Sequence, residues 1–415
     1  MKRCAIVTFG CKVNQYESQA LQERLQGAGY QIVDPDDDAE VYVLNTCTVT
    51  ETAYAEAART VRRIYRRRPA AEIAVTGCAA DSNRDEFLRM PGVRRVVVHD
   101  EKSALPLLIE DPRLSAEDLK PSIFDLTISG FEGHTRAFLK IQDGCDLRCS
   151  FCIIPQVRGA NVSRPFEEAV DEAKRLAKAG YKEIVLTGVH VGSFGKDVAG
   201  RSLIPDLVKR LMDIPGVARV RLSSIEANEV DDRLIDTMRD SGGRFCPHLH
   251  LPLQSGDAEV LRAMRRRYSP DQFLRTVDRI RAKIDEPSFT TDVILGFPTE
   301  TDAAFENTMD LCRQVGFSRI HIFPYSHRRG TDASSMPDLP AAVKKERHAA
   351  LQALASGLTG AYASKFVGRD VEVLVEEPGR GYTERYLRAT VPSGRANEVV
   401  RTRVLAVRDG GLECA

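Results

Sequence analysis

Short apolar runs alternate with amphipathic stretches along most of the chain. Cys4–Phe9 has the length and apolar content of a buried strand. Gln15–Gly27 carries apolar residues at helical spacing and stops against Gly27 and Gly29. Val41–Asn45 repeats the strand pattern and Thr50–Arg68 the helical one, and Glu72–Thr76 and Arg94–Val98 continue the strands. Such alternation predicts a parallel sheet with helices on its faces. Turn-forming residues then crowd the segment 111–135: Asp111-Pro112, Lys120-Pro121-Ser122, Gly130 and Gly133.

The alternation resumes more regularly. Strands are predicted at Ala137–Gln142, Glu183–Thr187, Arg219–Leu222, Pro247–His250, Phe289–Leu295 and Arg319–Phe323. Helices are predicted between them at Glu167–Ala179, Asp231–Asp240 and Asp302–Val315, and after them at Ala341–Ala363. These βα units predict a partial (βα)6 TIM-like barrel with its site at the carboxyl ends of the strands. From Lys365 the runs turn short and β-branched: Val371–Val375, Tyr386–Val391 and Val399–Val407, punctuated by Pro378-Gly379, Pro392 and Gly394. That pattern predicts a small antiparallel β-barrel. The expected fold is a multidomain α/β protein: a parallel-sheet domain at 1–112, a linker at 113–133, the barrel at 134–363 and the small β-barrel at 364–415.

Composition changes this picture little. The chain is 43% hydrophobic and 28% charged, ordinary for a globular protein. No apolar run is long enough to span a bilayer, and the first ten residues lack the apolar core of a secretory signal. A cytoplasmic location without a membrane partner is therefore the expectation. The net charge is zero, so the overall field does not announce a nucleic acid. Arginines bunch locally, at Arg59, Arg62, Arg63, Arg66, Arg67 and Arg68, and at Arg262, Arg265, Arg266 and Arg267. Each bunch reads first as a solvated helix face.

The ten cysteines need a chemical reason, because disulfides are disfavoured in a reducing compartment. Three are close together, in Cys145-Asp-Leu-Arg-Cys149-Ser-Phe-Cys152, directly after a predicted strand and Asp143-Gly144. Thiolates suit iron–sulfur clusters or zinc. Ordinary electron-transfer clusters take four cysteines, and the next cysteine along is Cys246. Three ligands would leave one metal position open, as a catalytic centre requires. The competing readings are a zinc site completed by a distant residue and a four-cysteine electron carrier. Three more cysteines, Cys11, Cys47 and Cys78, each lie just past a predicted strand and before a helix. In a parallel sheet such positions share one edge, so residues far apart in sequence can converge there. The alternative is three inert buried thiols. Cys4, Cys246, Cys312 and Cys414 fit no such pattern and read as structural.

The central motif, C-x-x-x-C-x-φ-C with an aromatic before the last cysteine, resembles the signature of the radical S-adenosylmethionine superfamily. The resemblance implies that Cys145, Cys149 and Cys152 hold a 4Fe–4S cluster whose open iron binds the methionyl part of S-adenosylmethionine. It also implies cofactor contacts from Phe151, from Gly188 in Leu186-Thr187-Gly188, from Glu226 in Ser223-Ser224-Ile225-Glu226, and from Ile294 in Val293-Ile294-Leu295-Gly296. No catalytic residue is assigned.

With the second triad included, the chain resembles the methylthiotransferases end to end. That likeness implies a second 4Fe–4S cluster on Cys11, Cys47 and Cys78, a radical core over 134–363 and a TRAM domain over 364–415. It implies insertion of a methylthio group at an unactivated C–H bond, with a radical from S-adenosylmethionine removing the hydrogen. Branches of the family act on isopentenyladenosine in tRNA, on threonylcarbamoyladenosine in tRNA, or on an aspartate of a ribosomal protein. Thr8-Phe9-Gly10-Cys11-Lys12-Val13-Asn14-Gln15-Tyr16-Glu17-Ser18 and Asn45-Thr46-Cys47-Thr48-Val49-Thr50 are most similar to the threonylcarbamoyladenosine branch. So are Phe323-Pro324-Tyr325-Ser326, Arg329-Gly330-Thr331 and Gly381-Tyr382-Thr383. The stretch Arg158-Gly159-Ala160-Asn161-Val162-Ser163-Arg164 departs slightly from the family's usual form. The implied partners are a tRNA anticodon loop, an electron donor such as flavodoxin or ferredoxin, and a sulfur donor. Phosphate contacts would come from the Arg59–Arg68 run and base stacking from Tyr382 and Tyr386. The competing class is an iron–sulfur electron carrier or zinc-binding RNA module without catalysis.

Overall fold

The structure, a computed structural model, describes residues 1–48, 51–111 and 113–415. Thr50, the expected start of the second helix, and Pro112, in the expected linker, lie outside the described residues, as does Val49.

Five parallel strands form the first sheet: β1 (Arg3–Thr8), β2 (Gln31–Val33), β3 (Val41–Thr46), β4 (Glu72–Gly77) and β5 (Val93–Val97), in the order β2-β1-β3-β4-β5. Both faces are covered, which suits the near-continuous apolar character of β3 and β4. Alternate residues serve the two faces. Ala5, Leu44, Ile73 and Val75 pack with Val61 and Ile64 of helix α2 (Glu51–Arg67). Cys4, Val43 and Ala74 face helix α1 (Lys12–Gly27), whose Tyr16, Leu21 and Leu25 join a core continuous with the next part of the chain.

The segment 113–133 is not a loose tether. It buries Leu126, Ile128 and Phe131 in that shared core. Six parallel strands follow in two three-stranded sheets, ordered β6 (Arg136–Lys140), β9 (Glu183–Thr187), β10 (Arg219–Leu222) and then β11 (His248–His250), β12 (Ser288–Leu295), β13 (Arg319–Pro324). Single bridges, Val220 to Phe245 and Ser224 to His250, join the two sheets. Among the described residues β6 and β13 do not pair, so the barrel is open on one side. A short antiparallel pair, β7 (Gln142–Asp143) and β8 (Val162–Ser163), clasps the base of the loop between them. Helices cover the outside, and their ends follow local chemistry. Ser269 and Gln272 form a capping box, Asp231 caps Leu234, and Gly316 closes its helix in the left-handed region.

The tail is a closed barrel of β14 (Asp370–Glu377), β15 (Arg380–Thr383), β16 (Arg388–Thr390), β17 (Val399–Arg408) and β18 (Gly411–Cys414), ordered β14-β15-β16-β18-β17. Four of its pairings are antiparallel and one, β16 with β18, is parallel. Parity requires this, because a closed ring with an odd number of strands cannot alternate in direction all the way round. Arginines from the amino-terminal ends of the central strands dock it. Arg219 donates to the carbonyls of Glu372 (3.2 Å) and Tyr382 (3.0 Å), and Arg221 to those of Glu384 (2.9 Å) and Thr383 (3.1 Å). Glu183 holds both guanidiniums at 2.5 and 2.6 Å.

Candidate metal centres and cofactor pocket

The register of β1, β3 and β4 pairs Thr8 with Asn45, Asn45 with Thr76, and Thr46 with Gly77. Cys11, Cys47 and Cys78 therefore follow the carboxyl ends of three adjacent strands. Two glycines make this crowding feasible. Gly10 and Gly77 have φ near +90° and +89°, and a Cβ on Gly77 would lie 2.3 Å from the Thr46 carbonyl oxygen. Asn14 on α1 ties the loops together by donating to the carbonyls of Phe9 (2.8 Å) and Thr46 (2.9 Å). Cys47 and Cys78 are buried, whereas Cys11 is exposed.

The central triad occupies the loop after β7, with all three thiols half-buried. Gly144 makes the turn into it at φ +69°, where a Cβ would strike the Ala160 carbonyl at 1.8 Å. Cations attend the sulfurs. Arg266 donates to Cys149 Sγ at 3.3 Å and pairs with Glu226, while its guanidinium lies over Tyr268. Beside them is a cavity of ≈370 Å³ lined by Cys149, Asn161, His190, Glu226, Glu229 and Arg266. Burial alone would lower the His190 pKa, but hydrogen bonds to Cys145 and Glu229 raise it to about 9.

The helix Ile154–Arg158, which follows Cys152, packs against Cys78: Cys78, Ile153 and Val157 share one small apolar cluster. Soft sulfur donors in threes, faced by guanidiniums, suit anionic iron–sulfur clusters better than inert thiols. Cys246 sits fully buried beside Glu183 and Arg221, at the opposite ends of the strands, and does not complete the central triad. Glu17, His99 and Asp143 also lie close enough together to hold a cation. Lys102, Lys140 and Arg158 already engage the two carboxylates, so this is an ion-pair cage.

The remaining expected contacts fall in three places. Phe151 and Ile294 pack against one apolar cluster with Val260, Met264, Phe297 and Tyr325. Glu226 lines the cavity itself. Gly188 backs onto Gln142, where a Cβ would lie 2.9 Å from the carbonyl oxygen. Of the arginine runs, Arg59, Arg62, Arg63, Arg66 and Arg67 are exposed on α2. Arg266 departs from the solvated-face reading: the helix ends at Ala263, Arg265 takes φ +57°, and the reversed chain turns Arg266 inward. Tyr382 and Tyr386 stack on each other with ring centroids 5.0 Å apart, beneath Arg136, where the tail meets the barrel.

Comparison with known proteins agrees with this layout. The model of the Radical SAM superfamily matches residues 139–312, and that of Uncharacterized protein family UPF0004 matches residues 3–99. The threonylcarbamoyladenosine tRNA methylthiotransferase MtaB of Thermotoga maritima is 38% identical, covering 99% of this chain and 96% of that protein. Its Bacillus subtilis counterpart is 36% identical over 98% and 94% of the two chains. A tRNA-2-methylthio-N(6)-dimethylallyladenosine synthase of Cereibacter sphaeroides is 37% identical over 98% and 96%. Among solved structures, the radical S-adenosylmethionine methyltransferase TsrM of Kitasatospora setae shares the fold, with a TM-score of 0.57 at 15% identity over 80% of this chain and 75% of that one. Likeness to these relatives over nearly the whole length makes this chain a member of the MtaB-type tRNA methylthiotransferases of the radical S-adenosylmethionine superfamily.

Proposed function

We propose that this protein adds a methylthio group to C2 of N6-threonylcarbamoyladenosine beside the tRNA anticodon. The observation that carries the reading is the packing of Cys78 against Ile153 and Val157, in the segment just after Cys152, in a chain 38% identical to an MtaB over 99% of its length. Cys145, Cys149 and Cys152 would hold a 4Fe–4S cluster able to supply an electron to S-adenosylmethionine, and Cys11, Cys47 and Cys78 would hold a second that would serve sulfur transfer.

The chain's own residues bind, orient and exclude water. Phe151 and Ile294 offer an apolar wall for a nucleoside base, and Glu226 offers a carboxylate to ribose hydroxyls. The missing side chain at Gly188 lets Gln142, at the base of the cysteine loop, pack directly against its backbone. Arg266 holds Glu226 and Cys149 in one orientation. Residues 1–112, 134–363 and 364–415 divide the work into sulfur handling, radical generation and RNA engagement, with 113–133 joining the first two. The enzyme works in the cytoplasm, with an electron donor of the flavodoxin or ferredoxin kind and a separate sulfur donor.

Mass spectrometry of tRNA nucleosides from cells with and without the gene tests the reading. The 2-methylthio derivative of threonylcarbamoyladenosine should disappear with the gene, while that of isopentenyladenosine persists. Loss of the second product alone would assign the chain to the other tRNA branch, whose relative is 37% identical.

A further inference from the structure

Arg158 is fully buried, and its whole donor fork is engaged. Nε donates to Cys78 Sγ at 3.1 Å. Nη1 reaches Glu17 (3.1 Å) and Asp143 (3.0 Å), and Nη2 reaches Asn14 (2.8 Å) and Glu17 (3.3 Å). Each partner leads to a triad. Asn14 fastens the loops before Cys11 and Cys47, Cys78 is bonded directly, and Asp143 accepts from Gly144, the residue before Cys145.

The charges of the cage sharpen the point. Glu17 and Asp143 are fully buried, with Lys140 reaching them at 2.8 and 2.5 Å and His99 3.2 Å from Asp143. Two carboxylates thus face three cations, Lys102, Lys140 and Arg158. Of these three cations, Arg158 is the one that also donates an N–H to a cysteine sulfur.

We propose that Arg158 is a positioning residue for the N-terminal cluster, holding the Cys78 thiolate by a charge-assisted N–H···S bond that stabilises the cluster's reduced form and locks it to the loop of the central triad. The proposal rests on the reading of Cys78 as a cluster ligand. A hydrogen bond to a cluster sulfur favours the state carrying more negative charge, and so raises the reduction potential. Lysine cannot replace it, because a point charge does not reproduce a planar fork with four separate acceptors.

The test uses the full chain carrying Cys145→Ala, Cys149→Ala and Cys152→Ala, reconstituted anaerobically so that only the N-terminal site can hold a cluster. Iron analysis first reports on the ligand assignment: absence of a cluster with Arg158 intact defeats that reading and this one with it. With the cluster present, 15N-arginine labelling should give a nitrogen hyperfine coupling in the pulsed electron paramagnetic resonance spectrum of the reduced form. This measurement needs no change at Arg158 and stands even if the variants fold poorly. Arg158→Met should abolish the coupling and shift the midpoint potential to more negative values, with Arg158→Lys in between. A labelled protein without coupling, or an Arg158→Met potential equal to its parent's, overturns the proposal.

Discussion

At the scale of single residues, the site depends on glycines as much as on cysteines. Gly77 adopts φ +89° with the Thr46 backbone 2.3 Å from where a Cβ would sit. Backbone cannot swing aside as a side chain can. Gly77→Ala should therefore cost more than ~1 kcal/mol and displace Cys78 from its neighbours. The measurement is iron content with thermal unfolding: the variant should lose the N-terminal cluster before it loses the fold, and normal loading would contradict the role given to this turn. Arginines are the second theme. Arg158 and Arg266 each deliver an N–H to a cysteine sulfur. Neither was legible in the sequence as a site residue. Arg266 hides in a charge run, and its inward turn depends on a backbone reversal at Arg265 that no pattern of hydrophobicity announces. Arg158 was visible only as part of a motif, because its partners come from α1, the Cys78 loop and β7.

At the scale of elements, segments inside a clear apolar run were legible and a few short strands outside one were not. All six central strands and the helices Asp302–Val315 and Ala341–Ser364 fall where their patterns put them. Burial against a covered sheet or an apolar stripe leaves a strong trace in sequence. β2, β15 and β18 escaped notice: Gln31–Val33, Arg380–Thr383 and Gly411–Cys414 are only three or four residues long. They owe their conformation to a neighbouring strand, and Gln31, Arg380, Gly381 and Gly411 deprive them of a continuous apolar run. That Cys11, Cys47 and Cys78 follow the carboxyl ends of three adjacent strands was legible, because residues just past parallel strands fall on one edge. That the segment 113–133 is packed was not, since Leu126, Ile128 and Phe131 are spaced among turn formers and find their partners in the shared core.

At the scale of the whole molecule, the three parts are held by buried charge. Glu183, between Arg219 and Arg221, anchors the tail barrel to the start of the central strands. Burial would raise its pKa, but the two guanidiniums hold its carboxyl far below the usual range. A depressed folded-state pKa stabilises the fold above the unfolded value, near 4.3, and that contribution fades as pH falls toward the folded value. Glu183→Gln leaves two buried guanidiniums short of a counter-charge and should cost roughly 3–5 kcal/mol at neutral pH. Its stability deficit should be constant above about pH 5 and narrow below about pH 4, as read from unfolding of both proteins across that range. A gap independent of pH would contradict the assignment.

In the proposed reaction the two triads act as separable halves, and anaerobic turnover with S-adenosylmethionine, a reductant and substrate tRNA tests this most directly. Cys145→Ala should form neither 5′-deoxyadenosine nor methylthio product, whereas Cys47→Ala should still form 5′-deoxyadenosine but no methylthio product. Wild-type rates of 5′-deoxyadenosine formation from Cys145→Ala, or methylthio product from Cys47→Ala, would contradict it.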